Sequence, residues 1–188
     1  MRRKDLEHVI AAAANVTGED EFVVIGSQAV LGSFPAAPET MLRSMEADVY
    51  PLHRPEKADE IDGALGDGSP FEATFGYYAH GVGPETAKAP AGWEARLVRV
   101  PVPARLLSDR QPVAWCLEIH DLVLAKVAAR RERDWDFARE ALKAGLVNGG
   151  ELLKRAEDLP LDPPTLDYVI GILRTIVDVD VEAEADRR

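Results

Sequence analysis

The hydrophobic pattern of this chain changes period at Glu118, and that change limits what the chain can fold into. Before it, apolar residues come in short runs, the first of them β-branched, cut off by glycine or proline. Glu21-Phe22-Val23-Val24-Ile25 stops at Gly26, and Glu46-Ala47-Asp48-Val49-Tyr50 stops at Pro51. Runs of this length and composition suit buried strands, and Tyr77 to Ala79, Ala95 to Val100 and Pro112 to Leu117 read as further strands. Leu6, Val9, Ile10 and Ala13 recur at helical spacing near the start; a polar helix from about Pro55 to Leu65 and a short turn of helix opened by Ser69-Pro70 follow. After Glu118 the helical period takes over, predicting helices at about 118–132, 134–146, 149–158 and 164–178. The expected plan is α+β without regular βαβ alternation: a core over residues 1–117 and a helical C-terminal part over 118–188, packed on that core. The acidic tail from Asp180 is expected to fray.

Charge narrows the function. The 188 residues include 22 Lys or Arg against 33 Asp or Glu, a net charge of −11. Phosphate attraction needs a basic surface, so retention of nucleic acid by bulk charge is excluded and any such contact needs a local cationic patch. The single cysteine, Cys116, gives neither an internal disulfide nor a thiolate cluster for zinc, and is expected to be buried and inert. No apolar run approaches the roughly 20 residues that cross a bilayer. Asp5-Leu6-Glu7-His8 stands where a signal peptide would place its apolar segment, so a cytoplasmic protein without a membrane partner is expected.

Two features carry chemistry. In Val23-Val24-Ile25-Gly26-Ser27-Gln28-Ala29 a strand passes through a small-residue turn into a helix start, with Ser27 placed to cap it. Such a turn lets backbone approach a ligand and offers N–H groups to phosphate; the plainer reading is a tight turn that needs a glycine. In Glu46-Ala47-Asp48 the two acids stand two residues apart on a strand and share a face, while Ala47 and Val49 face the core. Adjacent carboxylates repel unless a cation lies between them, and hard oxygen ligands suit Mg²⁺; the plainer reading is a solvated strand edge.

Together, Ile25-Gly26-Ser27 and Glu46-Ala47-Asp48 resemble the paired motif of the nucleotidyltransferase superfamily. Within it the chain is most similar to the DUF6036 group and to AbiEii-like toxins of bacterial toxin–antitoxin pairs. Those carry a downstream signature that His120-Asp121-Leu122-Val123-Leu124-Ala125-Lys126 and Arg130-Arg131-Glu132-Arg133-Asp134 fill. The resemblance spans about residues 23–140 and implies a nucleotidyltransferase-like mixed sheet flanked by helices, followed by a C-terminal helical bundle. It further implies that Gly26 and Ser27 hold the β/γ-phosphates, that Glu46 and Asp48 hold Mg²⁺, and that Lys126 reaches the triphosphate, with Asp121, Arg133 and Asp134 completing the signature. Lys126 and Arg130, four residues apart, are expected to share a helix face as one cationic spot, although a solvated helix end would place the same charges. The implied activity moves a nucleoside monophosphate from an NTP to an RNA (tRNA) or protein acceptor, as the toxin of a pair with a cognate antitoxin.

Three departures accompany the likeness. The gap from Ser27 to Glu46 is long, the first acid is Glu where Asp is usual, and the strand at 96–100 offers arginines where a third acid often stands. The last point supports an alternative, a non-catalytic protein of the same fold that acts by binding a partner. Other residues read plainly. His8, His53, His80 and His120 are too scattered for a zinc site and read as surface or capping histidines, while Trp93, Trp115 and Trp135 read as core or interface anchors. Tyr77, Tyr78 and His80 are placed to border a substrate cleft.

Overall fold

A computed structural model describes residues 1–103 and 110–185, with side chains described up to Asp180. The chain divides into two compact units, one of Met1–Ala87 with Glu94–Glu118, the other of Lys88–Trp93 with Ile119–Arg188.

The first unit is built on a five-stranded mixed sheet. Its strands are β1 (Glu21–Ile25), β2 (Glu46–Pro51), β3 (Tyr78–Gly81), β4 (Val98–Pro101) and β5 (Val113–Cys116), in the order β3-β2-β1-β5-β4. β1 runs antiparallel to β2 and parallel to β5; β2 runs parallel to β3, and β4 antiparallel to β5. The β-branched run at 21–25 takes the centre of the sheet, where Phe22, Val23 and Val24 are fully buried. Burying side chains of this size contributes roughly 1.5–3 kcal/mol each. α1 (Arg3–Thr17) starts with the Asp5 carboxylate accepting from the Arg2 N–H at 2.8 Å and ends at Gly18. It turns Leu6, Val9, Ile10 and Ala13 inward and packs on α3 (Ala58–Leu65), which in turn lies on β2 and β3. α2 (Val30–Ser33) packs on β4 and β5. α4 (Pro70–Phe75) is capped by the Ser69 hydroxyl, which accepts from the Glu72 N–H at 3.2 Å.

The parallel pairing of β2 with β3 requires a crossover, and α3 and α4 form it. Its register sets Glu46 opposite Tyr78 and Asp48 opposite His80.

The second unit contains α5 (Ile119–Ala128), α6 (Glu132–Lys143), α7 (Gly149–Ala156) and α8 (Pro163–Ala185). α5 packs on α6 and α7, and α8 on α6 and α7. Leu122, Val123, Leu124 and Val127 form its core with Leu152, Val169 and Leu173. Lys88–Trp93, early in sequence, belongs here, and the Ala91 N–H donates to the Asp158 carbonyl at 3.0 Å. None of the described helices is long and apolar enough to cross a membrane.

Several local expectations are corrected. The capping position after β1 is held by Gly26, and Ser27 begins a 3₁₀ turn, Ser27–Ala29, that leads into α2. α5 stops at Ala128, four residues short of the expected end, because Arg130 takes a left-handed backbone at φ 58°. Lys126 and Arg130 therefore do not share a helix face. The helix continues past Asp180 to Ala185; residues 186–188 of the acidic tail lie outside the described residues.

Candidate active site

β1 ends and β2 begins at the same end of the sheet, because the two are antiparallel and Ile25 pairs with Asp48. The turn at Gly26 thus lies directly against the acid-bearing strand. Gly26 has φ 66°, a region that side chains disfavour, and a Cβ built there would collide with Asp48 Oδ2. The glycine is required twice, by its backbone and by the carboxylate beside it.

Glu46 and Asp48 share a face of β2 and are half-buried, while Ala47 and Val49 between and after them are fully buried on the other. On the neighbouring strand the His80 ring stands between the two carboxylates. Its Nδ1 lies 2.9 Å from Glu46 Oε1 and 3.2 Å from Asp48 Oδ1. Facing an ionised Asp48 carboxylate, which only accepts, Nδ1 is the donor of that hydrogen bond, and Glu46 Oε1 lies in ion-pair range of the same atom. One ligand atom from each of the three residues lies within 4.8 Å of the others, a grouping able to hold a metal ion.

Tyr78, opposite Glu46, shares this face; partial burial and the nearby Glu46 carboxylate push its phenol above the usual 10.0. Tyr77 points elsewhere, with its hydroxyl 2.8 Å from His8 Nδ1 in an aromatic cluster with Phe71 and Phe75.

The long insert between Ser27 and Glu46 is anchored at its far end. Gln28, fully buried, donates from Nε2 to the Ser44 carbonyl at 2.7 Å, and the Ser44 hydroxyl accepts from the Glu46 N–H at 3.1 Å. These bonds tie the glycine turn to the start of β2. Sequence reading missed Gln28, and it set His80 at the border of a cleft without joining it to the two acids. A polar residue directly after Gly-Ser was the available signal for the first. For the second the signal lay in strand pairing, which brings together residues 32 apart in sequence.

The strand at 98–101, where a third acid was sought, is the opposite edge strand, with β5 and β1 between it and β2. The strand that neighbours the acids is β3, and it offers His80.

In the second unit, Lys126 Nζ lies 3.7 Å from Asp134 Oδ1 and 4.7 Å from the centre of the Phe137 ring. Asp134 is buried, and its Oδ2 has no hydrogen-bond partner among the described residues. Asp121 is fully buried and paired with Arg155 Nη1 at 3.1 Å; Arg155 also donates from Nε to Glu151 Oε1 at 2.6 Å. His120 Nε2 accepts from the Asn148 N–H at 2.9 Å, at the start of α7. Arg130 and Arg133 are exposed, Arg130 beside the exposed Tyr168.

A mixed sheet with a Gly-Ser turn against an acid-x-acid strand is the arrangement of a nucleotidyltransferase-like fold. Residues 4–159 match the family described as nucleotidyltransferase of unknown function (DUF6036), and the chain belongs to that family. No curated protein and no solved structure matches it.

Proposed function

We propose that the chain is a divalent-metal-dependent nucleotidyltransferase that moves a nucleoside monophosphate from an NTP to an RNA or protein acceptor. One observation carries this reading: in a chain of a nucleotidyltransferase family, Glu46 and Asp48 share a face directly against the Gly26–Ser27 turn.

The donor set fits a hard dication such as Mg²⁺, since carboxylate oxygens converge from one strand face. Glu46 and Asp48 would hold it, and when bound it supplies charge neutralisation on the triphosphate and the leaving pyrophosphate. The chain's own residues do the rest. Gly26, without a side chain, leaves room for the Asp48 carboxylate against the turn, and the Gly26–Ser27 backbone with the Ser27 hydroxyl would hold the β/γ-phosphates. Lys126 and Arg130 are assigned to the triphosphate by the downstream signature, with Asp134 holding the Lys126 ammonium. The likeness to AbiEii-like toxins extends the proposal to the toxin of a toxin–antitoxin pair, with a cognate antitoxin as its partner.

Incubation with each labelled NTP, Mg²⁺ and total RNA or cell lysate tests the reading. Label should pass to a macromolecule with wild type and with Lys154→Ala, on the exposed side of α7. Transfer should be lost in Asp48→Ala and Lys126→Ala. Label transfer that survives in Asp48→Ala would remove Asp48 from the catalytic site, and no transfer by wild type to any acceptor fraction would move the assignment to partner binding without catalysis.

A further inference from the structure

We propose that His80 supplies an imidazole nitrogen as the third protein ligand of the cation site formed with Glu46 and Asp48, and that the site takes Mn²⁺ and similar first-row dications in preference to Mg²⁺. This deepens the reading above and rests on Glu46 and Asp48 holding a cation.

Geometry supports a ligand role. Two donors at right angles around an ion at about 2.1 Å stand about 3.0 Å apart. The Nδ1 separations from Glu46 Oε1 and Asp48 Oδ1, 2.9 and 3.2 Å, bracket that spacing. The three atoms come from two paired strands, so backbone hydrogen bonding fixes the Cα positions they project from. Asp48 is further confined because its Oδ2 side abuts Gly26. In the metal-free protein the Nδ1 proton is directed to Asp48, with Glu46 beside it. On binding, that proton moves to Nε2 as the ring changes tautomer, and the Nδ1 lone pair replaces the N–H between the carboxylates.

Chemistry supports the preference. Mg²⁺ keeps a shell of oxygens and water and gains little from imidazole, whereas transition-metal dications accept it readily. A site of two carboxylates alone would be oxygen-only. The imidazole adds the one nitrogen that separates the two kinds of ion.

Mn²⁺ is the probe, because its electron spin reports the nuclei bound to it. Wild type, His80→Gln, His53→Gln and Asp48→Asn are titrated with Mn²⁺, with Mg²⁺ as competitor, and the bound Mn²⁺ is examined by pulsed electron paramagnetic resonance. Expected are ¹⁴N modulation from directly bound imidazole in wild type and His53→Gln, and its loss in His80→Gln. Mn²⁺ affinity should fall at least about tenfold in His80→Gln, with Mg²⁺ affinity changed far less. His80 is exposed on an edge strand, so the variant should keep its fold by circular dichroism. If it does not fold, the ¹⁴N signal of wild type and its retention in His53→Gln still point to His80, because the two other histidines, His8 and His120, are bonded to the Tyr77 hydroxyl and the Asn148 N–H. Mn²⁺ bound by wild type with oxygen ligands alone overturns the role of His80 and leaves the two-carboxylate site standing. Wild type that binds Mn²⁺ no better than Asp48→Asn overturns both.

Discussion

Gly26 joins the backbone requirement of the turn to the position of Asp48. An alanine there must bear φ 66° with ψ −169°, a backbone essentially reserved for glycine, at about 1–3 kcal/mol, and must also displace the carboxylate. Gly26→Ala is therefore expected to lower the denaturant midpoint and to weaken Mn²⁺ binding together, and a variant that loses stability but binds the ion as wild type does would separate the two demands. Glu21 shows a residue-scale effect away from the site. Its carboxylate is 2.8 Å from His53 Nε2 and accepts from Trp115 Nε1 at 3.0 Å. The His53 bond first, and then the Trp115 bond, hold its pKa below the usual 4.5. A carboxylate lowered on folding contributes stability that is fully present above 4.5 and is lost as pH falls through the lowered folded value. The exposed setting keeps that contribution small. Carbon-detected titration of the Glu21 carboxyl should give a midpoint below 4.5 that moves upward in His53→Ala.

At the scale of elements, strands were more legible than the ends of helices. A β-branched run stopped by glycine located β1, and short apolar stretches bordered by proline located β2 and β5. The end of α5 was not legible, since Ala128-Ala129-Arg130-Arg131 contains no glycine or proline and nothing in its period requires a stop. The chain stops there because Arg130 adopts φ 58°, a conformation that arginine pays for and glycine does not. Arg130→Gly is expected to stabilise the protein by about 1 kcal/mol, read as a raised midpoint in urea. An unchanged or lowered midpoint would mean that contacts of the Arg130 side chain outweigh the strain. The acid pair was legible for the opposite reason. Two residues on one strand share a face by period alone, whereas His80 reaches them only through the parallel register of β2 with β3, which no local pattern encodes.

For the whole molecule, the net charge of −11 makes the proposed substrate an electrostatic problem before it is a chemical one. A nucleoside triphosphate is a polyanion approaching an acidic protein, and the site itself adds Glu46 and Asp48. Charges within about 8–10 Å interact with little screening at ordinary salt, so the two carboxylates and the phosphates repel when no cation lies between them. A dication reverses the sign of that contact. ATP and CTP should therefore bind at least about tenfold more tightly in Mg²⁺ or Mn²⁺ than in chelator, a difference of about 1.4 kcal/mol or more. Asp48→Ala should cross this behaviour: with one anion removed, binding in chelator is equal to or stronger than that of wild type, and the gain from metal shrinks. Raising salt in chelator should strengthen wild-type binding by screening the repulsion. Isothermal calorimetry of both proteins, with metal and with chelator at two salt concentrations, measures all of these. Equal affinity with and without metal in wild type would show that the acids do not face the phosphates, and would remove Glu46 and Asp48 from the nucleotide site.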